Sequence, residues 1–283
     1  MKYIKICFKI LIKILLKVFY LIIILSILYS LLVIFTKPSN NRDWERDMAL
    51  TAETEIVGKI VTIKGVRDAV YRTTDDYDLK YLNETYDLDK IIKAYLFTNP
   101  FGKLSAHTML GFEFTDGKKV VLSVEIRREK GEEFNSYKGI LRAYELIYVW
   151  GTEDDLIKLR TNIRANTGTY MYELDMAKEN IQKLFLAAAK RTNELKNRPE
   201  FYNTLTNNCT TNLAQMLQKV YDKPIIVDWR YLAPAYAEGL SMKYGLIKGT
   251  DIESVRATHN ISPFAQKCGD CKDFSGAIRE VFK

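Results

Sequence analysis

From Val18 to Thr36 the chain carries no charged residue, and a helix over that run spans roughly 28 Å, about one hydrocarbon core. We read this run as a transmembrane helix. Lys2, Lys5, Lys9, Lys13 and Lys17 precede it without a single acid, so the positive-inside rule holds the N-terminus in the cytoplasm and sends the remainder outward. The last four of these lysines recur every four residues and share a helix face suited to anionic headgroups. A cleaved signal peptide is the competing reading. The length of the run and the lack of a small-residue cleavage pattern before Pro38 count against it. These features divide the chain into a basic flank (1–17), a membrane helix (18–36), a main body (37–240) and a C-terminal extension (241–283).

The anchor changes the meaning of the charge. Five of the 42 Lys and Arg residues precede residue 18, leaving 37 against 35 acidic residues in the rest. A nearly neutral body argues against nucleic-acid binding. The cysteines point the same way as the anchor. Cys7 falls in the flank, and Cys268-Gly269-Asp270-Cys271 has the spacing of a small disulfide in an oxidising compartment, so Cys209 is left as an unpaired thiol. Two thiols are too few for a structural zinc site, and no metal or cofactor is expected.

Alternation predicts strands over Glu55–Ile63 and Val66–Tyr71 with a turn at Gly65, a surface loop through Asp75 to Tyr86, and a strand over Leu88–Phe97. His107–Thr115 and Lys118–Arg127 flank Asp116-Gly117, a strong hairpin signal. Leu141–Trp150 reads as a further strand. Helical spacing then takes over, with Thr152 as the cap of a short helix through Arg164 and Asp175 as the cap of a long one ended by Pro199.

The chemistry concentrates on two residues. Tyr202-Asn203-Thr204-Leu205-Thr206-Asn207-Asn208-Cys209 ends a polar run, and Leu213, Met216, Leu217 and Val220 follow at helical spacing, so Cys209 belongs in the first turn of a helix. There the free backbone N–H groups and the positive end of the helix dipole favour a thiolate. His107, on the hairpin strand, is the better placed of only two histidines to act as its base; His259, in a loop-like stretch before Pro263, is the rival. Glu125 and Ser123 face one side of the return strand. A strict two-residue turn sets Glu125 opposite Thr108, whereas a bulge at Gly117 shifts the register by one and brings it across from His107. Composition equally allows Cys209 as a small buried hydrophobe and His107 as a satisfied strand residue.

Several blocks carry a resemblance. Pro38-Ser39-Asn40-Asn41-Arg42-Asp43-Trp44, Val66-Arg67, Tyr71-Arg72, Phe112–Gly117, Leu122–Glu129, Tyr144–Val149 and Phe201–Thr211 are similar to successive segments of the Lnb-type periplasmic domain family, over roughly residues 38 to 215. The resemblance implies an α+β fold, a circularly permuted papain/NlpC-like domain with an antiparallel sheet packed on helices, occupying 37–240. It implies a membrane-anchored thiol acyltransferase at the bacterial inner membrane, its catalytic domain periplasmic. Cys209, His107 and Glu125 are then catalytic and Tyr202, Asn208 and Arg127 binding residues, with Arg128, Arg160 and Arg164 as further candidates for phosphate. The expected donor is a phospholipid and the expected acceptor the N-terminal amine of a diacylglyceryl-cysteine lipoprotein. A cysteine hydrolase of the same fold, cutting a cell-wall peptide or a lipid ester, and a non-catalytic membrane-tethered assembly module are the alternatives.

Overall fold

The structure, a computed structural model, describes residues 2–165, 167–221 and 229–283, and only the backbone of residues 2–5, 7 and 8. The side chains of Lys2, Lys5 and Cys7 lie outside the described residues. Two units are distinct, 1–39 and 40–283. The first is a single helix, α1 (Lys2–Phe35), and its segment Lys9–Phe35 is long and apolar enough to cross a membrane.

The second unit is built on one eight-stranded sheet among the described residues: β1 (Glu53–Val57), β2 (Ile60–Tyr71), β3 (Tyr77–Asp87), β4 (Ile91–Pro100), β5 (Ala106–Phe114), β6 (Lys119–Arg127), β7 (Glu145–Gly151) and β8 (Tyr170–Glu173). The order is β1-β2-β7-β6-β5-β4-β8, with β3 also paired to β2. Pairing is antiparallel except for one parallel pair between β2 and β7, Arg67 with Gly151. The mixed α/β architecture expected from the sequence is present.

Helices cover both faces. The helices are α2 (Ser136–Ile140), α3 (Glu153–Lys158), α4 (Lys178–Asn197), α5 (Cys209–Gln218), α6 (Ala237–Lys243), α7 (Ile252–His259), α8 (Ser262–Cys268) and α9 (Phe274–Arg279). α4 buries Ile181, Leu184, Phe185, Ala188 and Leu195 at helical spacing against one face of the sheet. Phe185 is the centre of that core, its ring 4.9–5.8 Å from those of Tyr86, Phe112, Phe114 and Trp150. On the other face, Leu156 and Ile157 of α3, Ala265 of α8 and Phe274 and Ile278 of α9 cover Tyr95, Phe97, Met109, Val121 and Val149. Arg279 ties this C-terminal layer down through Glu153 and Glu113.

Four local expectations are corrected. The β1–β2 turn lies at Gly58-Lys59, and Gly65, at φ +86°, is a bulge inside a continuous β2 rather than a turn. The stretch through Tyr86 is not a loop but β3, whose alternating polar side chains reflect one solvated face. Asp175 does not cap α4; the N-cap is Ala177, while the Asp175 N–H bonds Leu246 and its carboxylate faces Lys248. His259 ends helix α7 instead of sitting in a loop. The cysteine pair does close a disulfide, Cys268–Cys271, and Cys209 is a free, buried thiol.

The parallel pair is held by a buried ion pair. Arg67 forks onto Asp155 at 2.8 Å through both Nε and Nη2, and the Ala69 N–H donates to the same carboxylate at 2.9 Å. Both side chains are almost completely buried. Asp155→Ala removes both charge-assisted hydrogen bonds of the fork and leaves the buried guanidinium only the more distant Asp47 carboxylate at 3.6 Å, so it is expected to cost about 3 kcal/mol, whereas replacing both Arg67 and Asp155 by apolar residues of similar volume costs less. Thermal melts of the single and double variants check this; equal losses would show that packing, not charge, holds α3 to β2.

Candidate active site

The ladder between β5 and β6 stops at Met109–Ser123, yet β4–β5 pairing continues to Pro100–Ala106 and β6–β7 pairing to Arg127–Glu145. The sheet therefore divides at one end into two halves, leaving a gap between residues 106–108 and 124–127. Ala106, His107, Val124, Glu125, Tyr202 and Cys209 line the cleft that fills it, and Arg128, Arg160 and Arg164 contribute to its wall.

The hairpin register decides what faces what. Gly117 adopts φ +85°, its N–H donates to the Phe114 carbonyl, and the Phe114 N–H donates to Lys118, which is a bulged turn and not a strict two-residue one. Glu113 consequently pairs with Lys119 and Met109 with Ser123. Extended by two residues, the same register brings Glu125 across from His107, the second of the two alternatives posed by the sequence. His107 Nε2 lies 2.6 Å from Ser123 Oγ and 3.2 Å from Glu125 Oε1, and Ser123 Oγ donates to Glu125 at 2.6 Å. Arg160 Nη2 grips the same carboxylate oxygen at 2.5 Å. With Nε2 so engaged, Nδ1 is the nitrogen left for a thiol.

Cys209 is the first residue of α5. Its position is set by a full capping box: Asn208 Oδ1 accepts the Thr211 N–H at 2.9 Å and Thr211 Oγ1 accepts the Asn208 N–H at 2.8 Å. The Asn-rich run before it is scaffolding. Asn203 accepts from the Leu205 and Thr206 N–H groups, Asn207 donates to Phe201, and Asn212 links Asn207 to the Tyr148 hydroxyl. A residue at this helix position has no intrahelical acceptor for its N–H, so the Cys209 amide is available to a ligand.

Burial pushes the Cys209 thiol up, but the His107 imidazole and then Thr108 more than reverse this, and the thiol falls below its ordinary value. Burial would depress His107; the Glu125 carboxylate outweighs both that and the opposing Arg160 charge, with help from Cys209, and raises it. Burial likewise disfavours the Glu125 carboxylate, but His107, Arg160 and Ser123 hold it well below the usual carboxylate range. The three shifts describe a site that favours thiolate, imidazolium and carboxylate together. Coupled groups of this kind, sunk in a cleft, are the pattern expected of a nucleophilic centre.

The expected residues are not all together. Cys209, His107, Glu125 and Tyr202 line one cleft; the Tyr202 hydroxyl makes no hydrogen bond among the described residues, and burial, then the charges of Cys209 and Glu125, keep it protonated. Asn208 is completely buried and engaged in the cap and in a bond to Thr204. Arg127 does not join them: it is buried under Trp44 and donates to Met48, Ala49 and Asn40. Arg160 turns to Glu125 rather than outward. Arg128 and Arg164 remain at the cleft, and the Arg164 guanidinium makes no hydrogen bond or salt bridge among the described residues. His259 packs on Tyr172 and bonds the Val255 carbonyl, outside the cleft. Ser123 as the link between imidazole and carboxylate was not foreseen, although its alternation with Glu125 was the signal for it. No cluster of three His, Cys, Asp or Glu suited to a metal occurs among the described residues.

A family model described as the Lnb N-terminal periplasmic domain matches residues 77–235, more than half of the chain, and includes His107, Ser123, Glu125, Arg160, Tyr202 and Cys209. No curated protein and no solved structure matches.

The coupling has a pH signature. Alkylation of Cys209 by a small electrophile should rise with pH around a midpoint below the ordinary thiol value of about 8.5. In His107→Ala only the burial effect and the weaker Thr108 contribution remain, so the midpoint should move upward. Rate against pH for the two proteins tests this, and an unchanged midpoint would mean that the imidazole does not act on the sulfur.

Proposed function

Because the chain belongs to the Lnb N-terminal periplasmic domain family, we propose that it is a membrane-anchored acyltransferase whose nucleophile is Cys209. The family description and the apolar helix α1 together support a single-pass membrane protein with a periplasmic domain. The proposed membrane is the bacterial inner membrane. The observation that carries the enzymatic reading is a thiol at a capped helix start, buried beside an imidazole whose other nitrogen meets a carboxylate that Arg160 fixes in place.

In the proposed cycle His107 holds the thiol proton as imidazolium, and Cys209 Sγ attacks the carbonyl carbon of a phospholipid ester. A C–S bond forms and the ester C–O bond breaks. The proton passes from His107 to the departing oxygen, releasing a lysophospholipid. The free α-amine of a diacylglyceryl-cysteine then attacks the thioester. A C–N bond forms, the C–S bond breaks, and the amine proton returns through His107 to the sulfur. The Cys209 N–H and the protonated Tyr202 hydroxyl are the available donors to the oxyanion in both steps. Arg128 and Arg164 suit the donor's phosphate. Glu125, fixed by Arg160, orients the imidazole and stabilises its charge.

Mass spectrometry of lipoprotein N-termini from cells carrying each variant tests the proposal. Three acyl chains are expected with the intact protein and with His259→Ala, and two with Cys209→Ala or His107→Ala. Two chains throughout, with a soluble ester still cleaved, would point to a hydrolase in which water replaces the amine. A Cys209→Ala protein that still supports three chains would exclude the covalent route.

A further inference from the structure

A second cavity is lined by Thr108 and Thr210, the immediate neighbours of His107 and Cys209, and shares no lining residue with the arginine-rimmed cleft. Leu96 and Leu110 from the sheet, Leu213 and Leu217 from α5, and Leu240 from α6 give it an almost wholly apolar wall. Its two polar members by the sulfur are Thr108, next to His107, and Thr210, next to Cys209. Both hydroxyls are buried; that of Thr108 faces the Cys209 sulfur, and that of Thr210 has no hydrogen-bond partner among the described residues. A buried hydroxyl without a partner is uncommon, and one beside the nucleophile indicates a ligand acceptor there.

We infer that this cavity, about 40 Å³ in volume, receives the carbonyl-proximal carbons of the substrate's acyl chain, with the carbonyl at the mouth between Thr108, Thr210 and the Cys209 sulfur; the inference rests on the acyltransfer reading above. The argument is one of polarity on two sides of one atom. A phospholipid ester carries a charged headgroup on one side of its scissile carbonyl and a hydrocarbon tail on the other. Cys209 likewise lines the cleft that holds Arg128 and Arg164, while the next residue, Thr210, lines the leucine cavity. The cavity also explains the spacing of Leu213 and Leu217 along α5: four residues apart, they line the same face of the helix that carries the nucleophile.

The test is chain-length selectivity of thiol acylation in the full-length protein in detergent. Acetyl and palmitoyl p-nitrophenyl esters serve as acyl donors, and the adduct on Cys209 is read by intact-protein mass with nitrophenolate release as the rate. Ala214→Phe projects a ring into the cavity and should slow palmitoyl transfer by ~10-fold or more through lost chain burial, leaving acetyl transfer little changed. Gln215→Phe, on the exposed side of α5 and outside the cavity, should leave transfer of both esters unchanged and is the control for a bulky residue on this helix, alongside a thermal melt of both variants. If Ala214→Phe slows both esters alike, or neither, while Cys209 is still acylated, the cavity is not the berth of the chain and the covalent reading stands. If the unaltered protein forms no adduct with either ester, the acyltransfer reading fails and this inference with it.

Discussion

The bulge at Gly117 sets β5 against β6 one residue away from the register of a strict hairpin, and every contact of the imidazole depends on that single step. Side chains alternate across a sheet, so a one-residue slip changes which pairs lie opposite one another. With the bulge, Ser123 and Glu125 meet His107. Without it, Glu125 would lie opposite Thr108, whose side chain belongs to the other face. The parting of the two half-sheets beyond Met109 and Ser123 is the second part of the same constraint. It opens a gap in the sheet where the start of α5 can reach the strand that carries the histidine.

Electrostatics in that gap are a balance of large opposing effects. Cys209 is buried and His107 and Glu125 are mostly so, and the loss of water disfavours the charged form of all three. The mutual attraction reverses the penalty for each. Arg160 plays an ambiguous part, opposing the charge on His107 while fixing the carboxylate that favours it. Its place on the helical segment after α3 makes the site depend on the Arg67–Asp155 pair that secures α3 to β2.

The same organisation separates polar from apolar surroundings. The cleft between the half-sheets carries the arginines, and the leucines of β4, β5, α5 and α6 gather on the face that α5 covers. The sulfur stands at the boundary. Helix α1 belongs to a separate unit, and its apolar length is the feature that associates the protein with a bilayer.

Much of this was legible in the residues. The charge-free run, the Asp116-Gly117 hairpin, the helix beginning at Cys209 and the pairing of Cys268 with Cys271 are local patterns, decided by hydrophobicity, turn chemistry and capping within a few positions of one another. The functions of other residues were decided only by tertiary structure. Arg127 and Arg160 look alike in sequence, yet one is sealed under Trp44 against the backbone of Met48 and Ala49 and the other grips Glu125. The polar stretch before Tyr86 reads as a loop until β2 supplies the edge it pairs with. The choice between the two registers of Glu125 also lay open, because a glycine after an aspartate permits either turn. What a residue contacts across the sheet depends on where distant segments pack, and that information is not contained in the spacing of its neighbours along the chain.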